Sequence, residues 1–147
     1  MPSVDVRYQQ ATPTARAMVD EILAADADDQ AWIDQLGPAL SGASVARMLG
    51  VSPQAVSSNK GLVRLTMRSG RVGYPLFQFR GSRPIDGLAG IVRLLRPAVA
   101  TEWTIASWLT SPNAELSGDT PIKALRSRRR AESVTVAARR FAAALSV

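Results

Sequence analysis

The sequence contains no cysteine and no histidine. Without cysteine there is no disulfide, no thiolate metal site and no cysteine nucleophile. Without histidine the usual general base near neutral pH and the commonest metal ligand are both missing. Aromatic residues make up only 5% of the chain, and the Phe and Tyr residues form no stacking platform on one predicted strand, which argues against RNA recognition. No apolar run approaches the roughly 20 residues of a membrane span. The opening MPSVDVRYQQATP has no apolar stretch behind a basic start, so the expectation is no secretory signal, no membrane partner and a cytoplasmic location. Carboxylates, Lys and Tyr remain for catalysis. With no Gly-rich phosphate loop and no paired acids in the basic part, the expectation is a non-enzyme with no cofactor and no metal.

Acids are missing from one part of the chain only. Residues 1–40 hold two bases against seven acids, a net of −5, whereas residues 41–147 hold 16 bases against five acids, a net of +11. Within the latter, residues 41–96 carry nine bases and Asp86 alone, a net of +8. A GC-rich coding bias accounts for Arg over Lys, but not for the local loss of acids. A segment this basic favours a polyanion, because each neutralised phosphate releases counterions. Hydrophobic residues form 46% of the 147, enough for a buried core.

The N-terminal part reads as helix over 12–37. Thr12 caps and Pro13 suits the first position. Ala15, Met18, Val19, Ile22 and Leu23 make a buried stripe, and Trp32, Ile33 and Leu36 form a second short face stopped by Gly37-Pro38. Its acids read as a solvated face. Asp26, Asp28 and Asp29 lack the Gly and Glu spacing of a calcium loop.

The stretch from Ser44 to Val56 has the spacing of a helix-turn-helix. Ala46 supplies the small residue where two helices touch. Gly50 supplies the positive-φ turn. Val45, Leu49, Val51 and Val56 are the apolar residues expected to close its core, and Ser52-Pro53 is an N-cap followed by proline. Asn59 is polar where core is expected and Lys60-Gly61 ends the helix, so the recognition helix is short. Two apolar runs follow, Leu62–Arg68 and Arg71–Leu76, around Ser69-Gly70. They predict a hairpin wing, with Pro75 at an edge or end. Strings like this also occur in helical hairpins that only pack. The wing and the +8 segment weigh for DNA.

The candidate DNA-contacting residues are therefore Arg47, Ser52, Gln54, Ser57, Ser58, Asn59, Lys60, Arg64, Arg68 and Arg71. Gln and Asn pair with adenine edges and Ser is promiscuous. Arg47 and Arg64 suit backbone clamping, and Arg68 and Arg71 at the wing tip suit phosphates or a minor groove. The fold class expected is mainly α with a short β-hairpin: an acidic helical segment over 1–40, a winged helix-turn-helix over 41–80 and a helical domain over 81–147. In the last, helices are predicted over 85–95, 101–110 and 130–145. The final one presents Val134, Ala137, Ala138, Phe141 and Leu145 on one face.

The C-terminal half also carries linked short motifs: Tyr74-Pro75-Leu76-Phe77-Gln78-Phe79, Gly87-Leu88, Trp108-Leu109-Thr110-Ser111-Pro112-Asn113, and Leu116-Ser117-Gly118-Asp119-Thr120-Pro121-Ile122-Lys123-Ala124-Leu125. Over about residues 44–145 the chain resembles the Xre/MbcA/ParS-type antitoxin family with its toxin-binding C-terminal domain. It is also similar to small actinobacterial winged-helix DNA-binding proteins. The resemblance implies a DNA-binding unit, a helical domain that pairs with a toxin (often of the RES type), dimerisation and autorepression. The chain departs from that family in its winged unit and in the run Arg126-Ser127-Arg128-Arg129-Arg130. That run is open to three readings: a solvated face, a second phosphate clamp or a toxin-facing patch. By their residues alone, Trp108-Leu109 reads as a helix-end anchor and Thr120-Pro121 as a cap. A short recognition helix reads few bases, so a homodimer on a palindromic site would double the contacts. The expected function is a sequence-specific DNA-binding autorepressor of the antitoxin kind. The alternative is a repressor or nucleoid-type protein without a toxin, whose C-terminal domain self-associates.

Overall fold

The computed structural model describes Asp34 and residues 36–146; the helix and stripe expected over 12–33 lie outside the described residues. The chain folds as two compact units. The first runs to Ser58 and resumes over Arg64–Phe77; the second takes Asn59–Val63 and everything from Gln78 onward.

In the first unit, Asp34 and Leu36 are helical and Gly37 turns the chain at φ 88°. Strand β1 (Ala39–Leu40) follows. Ser41 then caps helix α1 (Gly42–Leu49), its hydroxyl accepting from the Ser44 N–H, as Ser does well at this position. The helix ends at Gly50, whose φ of 69° is the left-handed conformation that glycine adopts without a Cβ clash. The Val51 N–H returns to the Ala46 carbonyl at 3.0 Å. Helix α2 (Pro53–Ser57) starts at Ser52, which accepts from the Ala55 N–H, with proline in its first turn. Strands β2 (Leu65–Thr66) and β3 (Val72–Pro75) form the hairpin. β3 lies centrally, in the order β1-β3-β2, with Ala39 opposite Pro75 and Leu65 opposite Gly73, both pairings antiparallel. A Cβ on Gly73 would lie 2.8 Å from Met67 Cε and 3.1 Å from Ala39 Cβ, so a larger residue in the central strand would have to displace both. The element order β1-α1-α2-β2-β3 and this sheet make the first unit a winged helix-turn-helix.

Several details depart from expectation. The strands are shorter than the apolar runs, and Leu62 and Val63 belong to the second unit. Pro75 is the last residue of its strand, as proline requires. Val45 and Val56 are buried, but Val51 is 45% exposed. With α2 only five residues long, Val56 alone turns inward while Ala55, Ser57 and Ser58 are exposed. The short helix has no second apolar residue to cover Val51.

The second unit is helical apart from one small hairpin, β4 (Phe79–Arg80) and β5 (Arg83–Pro84), which the sequence reading did not include. Helix α3 (Leu88–Leu95) buries Leu88, Ile91, Val92 and Leu95 at the i, i+3, i+4, i+7 spacing of one face. It starts three residues later than predicted, because Gly87 turns at φ 85°. Helix α4 (Glu102–Thr110) buries Ile105, Ala106 and Leu109. Helix α5 (Pro121–Arg126) is capped by Thr120, as its sequence indicates. Helix α6 (Ala131–Leu145) buries Val134, Ala137 and Ala138. Phe141 stacks on Trp108 with centroids 5.7 Å apart. Leu145, expected on the buried face, is 43% exposed, since the helix runs past its packing partners before it ends.

The segment Asn59–Val63 is held in the second unit by side chains. Gln78 is fully buried. Its carbonyl accepts from the Val63 N–H at 2.8 Å and its amide donates to the Val63 carbonyl at 3.0 Å, so one side chain replaces a β-ladder pair. Arg96 donates to the carbonyls of Lys60 and Leu62 and pairs with Glu102. Gly61 passes so near α3 that an added Cβ would lie 2.7 Å from Ala89 Cβ.

The motif Asn113–Pro121 is also knitted by its own polar groups. Asn113 accepts from the Glu115 N–H at 2.9 Å, Ser117 is left-handed at φ 59°, and Asp119 pairs with Arg130 at 2.5 Å and Lys123 at 3.3 Å. The Arg130 guanidinium, and after it Lys123, holds the Asp119 carboxyl below the usual carboxylate range.

Two predictions follow from these anchors. Gln78→Leu leaves the buried Val63 N–H and C=O without partners, and urea denaturation should register a loss of about 2–5 kcal/mol; an unchanged midpoint would show that the clamp does not carry the fold. A carboxyl whose folded pKa is depressed stabilises the fold above its unfolded value and loses that contribution as pH falls through the folded one. Wild-type stability should therefore fall below about pH 4 more steeply than that of Asp119→Asn, and superimposable acid titrations of the two proteins would refute this.

Candidate nucleic-acid interface

From residue 36 to residue 77 the sequence has no acid. In the described first unit the bases are Arg47, Arg64, Arg68 and Arg71, all exposed. The wing tip is built by backbone geometry. The Met67 N–H bonds to the Arg71 carbonyl at 2.7 Å and the Gly70 N–H to the Met67 carbonyl at 2.9 Å, closing a loop over 68–70. Gly70 takes φ 90°, the left-handed position that ends such a three-residue hairpin loop. Ser69 Oγ accepts from the Arg71 N–H at 3.3 Å, which orders the tip further. Arg68 and Arg71 thus flank an exposed glycine turn, as the sequence indicates. Among the described residues no carboxylate pairs with Arg64 or Arg71.

Helix α2 exposes Gln54 and Ser57 and turns Val56 inward. Its hydroxyls are partly committed. Ser52 Oγ accepts from the Ala55 N–H at 3.1 Å and keeps its own proton to donate. Ser57 Oγ donates to the Gln54 carbonyl at 3.1 Å, leaving acceptor capacity only. Gln54 is exposed and has both halves of an amide, the group suited to paired bonds with adenine. Ser58 is the C-cap. Arg47 donates to Ser44 Oγ at 3.2 Å, which orients its guanidinium along α1.

Asn59 and Lys60 are placed apart from the other candidates. They lie beyond the end of α2 and belong to the second unit. Asn59 Oδ1 accepts from the Gly61 N–H at 2.9 Å, and the Lys60 carbonyl accepts from Arg96. The helix ends at Ser57 with Ser58 as its cap, and the chain then turns into the segment held by Asn59 and Arg96. The eight other candidates sit in the first unit. The arginine run separates as well: Arg130 is spent on Asp119 and the Leu116 carbonyl, while Arg126, Arg128 and Arg129 are exposed. Two further exposed arginines, Arg80 and Arg83, lie in the second unit on the β4–β5 hairpin, whose sequence signal is the Gly81-Ser82 turn.

The fold therefore defines a winged helix-turn-helix chain with a helical second unit. Among solved structures the chain is similar to the NMR structure of Rv2175c, with a TM-score of 0.60 and 25% identity over 71% of this chain and 81% of that one. No family profile and no curated protein matches the sequence. No helix among the described residues is long and apolar enough to cross a membrane.

The cap at Ser52 is separable from any contact with a partner. Ser52→Ala should cost about 1 kcal/mol of stability, and Ser52→Asp should recover most of it; equal denaturation midpoints for all three proteins would show that α2 does not depend on this cap.

Proposed function

We propose that the protein is a sequence-specific double-stranded DNA-binding transcriptional regulator acting as an autorepressor, with no catalytic role of its own. The observation that carries this reading is the pairing of an exposed Gln54-bearing helix with an arginine-flanked wing tip in a stretch without acids. Gln54 reads a base edge in the major groove. Arg68 and Arg71 hold phosphates or a minor groove, and Arg47 and Arg64 clamp the backbone. The second unit is assigned to protein pairing on the antitoxin resemblance alone. By the antitoxin resemblance its partner is a RES-type toxin, with a homodimer matching a palindromic operator. The site of action is the cytoplasmic nucleoid.

A second reading has specific support. Asn113, Asp119 and Thr120 of the antitoxin-like motif each bond within the second unit, and Leu116 is buried. Residues so used explain their own presence without a toxin. This favours a repressor or nucleoid-type protein whose second unit self-associates.

Anisotropy titration against the protein's own upstream DNA at two salt concentrations tests the DNA reading. Arg71→Ala should weaken binding to all sequences and lower the salt slope by about one, while Gln54→Ala should cost about 1–3 kcal/mol on the specific site and relax selectivity there. Binding that ignores both changes, or no binding at low salt, refutes it.

A further inference from the structure

A cleft of about 460 Å³ lies wholly within the second unit, walled by Arg80, Arg83, Arg126 and Arg128 with Asp86 as its one acid, a net charge of +3. The buried Ile85 and Leu125 also line it.

The charge arrangement is costly for the protein alone. Arg80 and Arg83 are directly opposed partners across the β4–β5 pair, a position where like charges repel and destabilise the strands. Arg126 closes α5 and Arg128 follows two residues on, bringing two further guanidiniums to the same rim. The Arg80 guanidinium donates to the Arg126 carbonyl at 3.4 Å, which turns it toward α5. Asp86 reaches Arg128 at 3.4 Å with both side chains about four-fifths exposed, a pair too solvated to offset the repulsion between Arg80 and Arg83. Among the described residues no carboxylate pairs with Arg83.

We propose that this cleft binds the phosphate group of a small phosphorylated ligand. Guanidinium forks match phosphate oxygens two at a time, and a bound dianion converts the Arg80–Arg83 repulsion into a shared attraction. A concave cleft of this volume has room for a small phosphorylated molecule. The proposal is independent of the DNA-binding reading, since it uses no residue of α2 or the wing.

The test is an amide NMR titration of the full chain with sodium pyrophosphate and, separately, with a short DNA duplex. Pyrophosphate should produce saturable shifts over residues 80–86 and 125–128. Arg83→Gln should weaken that binding about tenfold, and Arg71→Ala should leave it unchanged. If Arg83→Gln melts early, Arg128→Gln serves in its place, because its side chain is 83% exposed and is not needed for folding. Absence of saturable shifts overturns the proposal, as do shifts that persist in both Arg83→Gln and Arg128→Gln. Shifts at these residues induced by the duplex but not by pyrophosphate overturn it too, and make the cleft a DNA backbone contact.

Discussion

Two hydrogen bonds from one buried side chain hold the centre of this chain together. Val63 and Gln78 are both fully buried, and a buried backbone group without a partner costs as much as a lost bond. Neither neighbouring strand reaches Val63, so its N–H and C=O are served by the Gln78 amide, which has one donor side and one acceptor side in the required order. No apolar residue and no carboxylate could do both. Arg96 acts on the same segment from the other end, satisfying the Lys60 and Leu62 carbonyls while Glu102 balances its charge. These polar contacts specify the path of Asn59–Val63, which has only Leu62 and Val63 to bury and a glycine packed against Ala89.

The same contacts explain where sequence reasoning succeeded and where it could not. Local chemistry was legible. Ser52 and Thr120 cap helices, Gly50 takes positive φ and Gly70 turns the hairpin; each of these depends on a few adjacent residues. Helix α3 was legible as an element ahead of Pro97. Leu62 and Val63 were assigned to a strand because they are apolar and precede a hairpin, but the partner that satisfies Val63 is a side chain 15 residues away, and periodicity has no signature for that. Val51 and Leu145 were placed in the core by spacing; their exposure reflects what lies across from them, which a single strand of sequence does not record. Asn59 and Lys60 follow α2 in order, yet that helix ends at Ser57 and they pack with another unit.

Net charge needs the same structural sorting. The +8 of residues 41–96 counts Arg96, whose guanidinium is occupied by two carbonyls and a carboxylate, together with Arg64 and Arg71, which face solvent. Arg130 is likewise absorbed by Asp119 and the Leu116 carbonyl, while Arg128 remains at the surface. A basic composition thus divides into cations held within the fold and cations left exposed, and only their contacts tell the two apart.

The division of the chain at Ser58, Val63 and Phe77 has a consequence for engineering. The wing strands form an excursion whose two ends, Val63 and Gln78, are stitched side by side in the other unit. Neither unit is a contiguous cassette. No single cut separates them: ending the chain after Phe77 leaves Asn59–Val63 of the second unit behind and takes away the side chain that satisfies Val63.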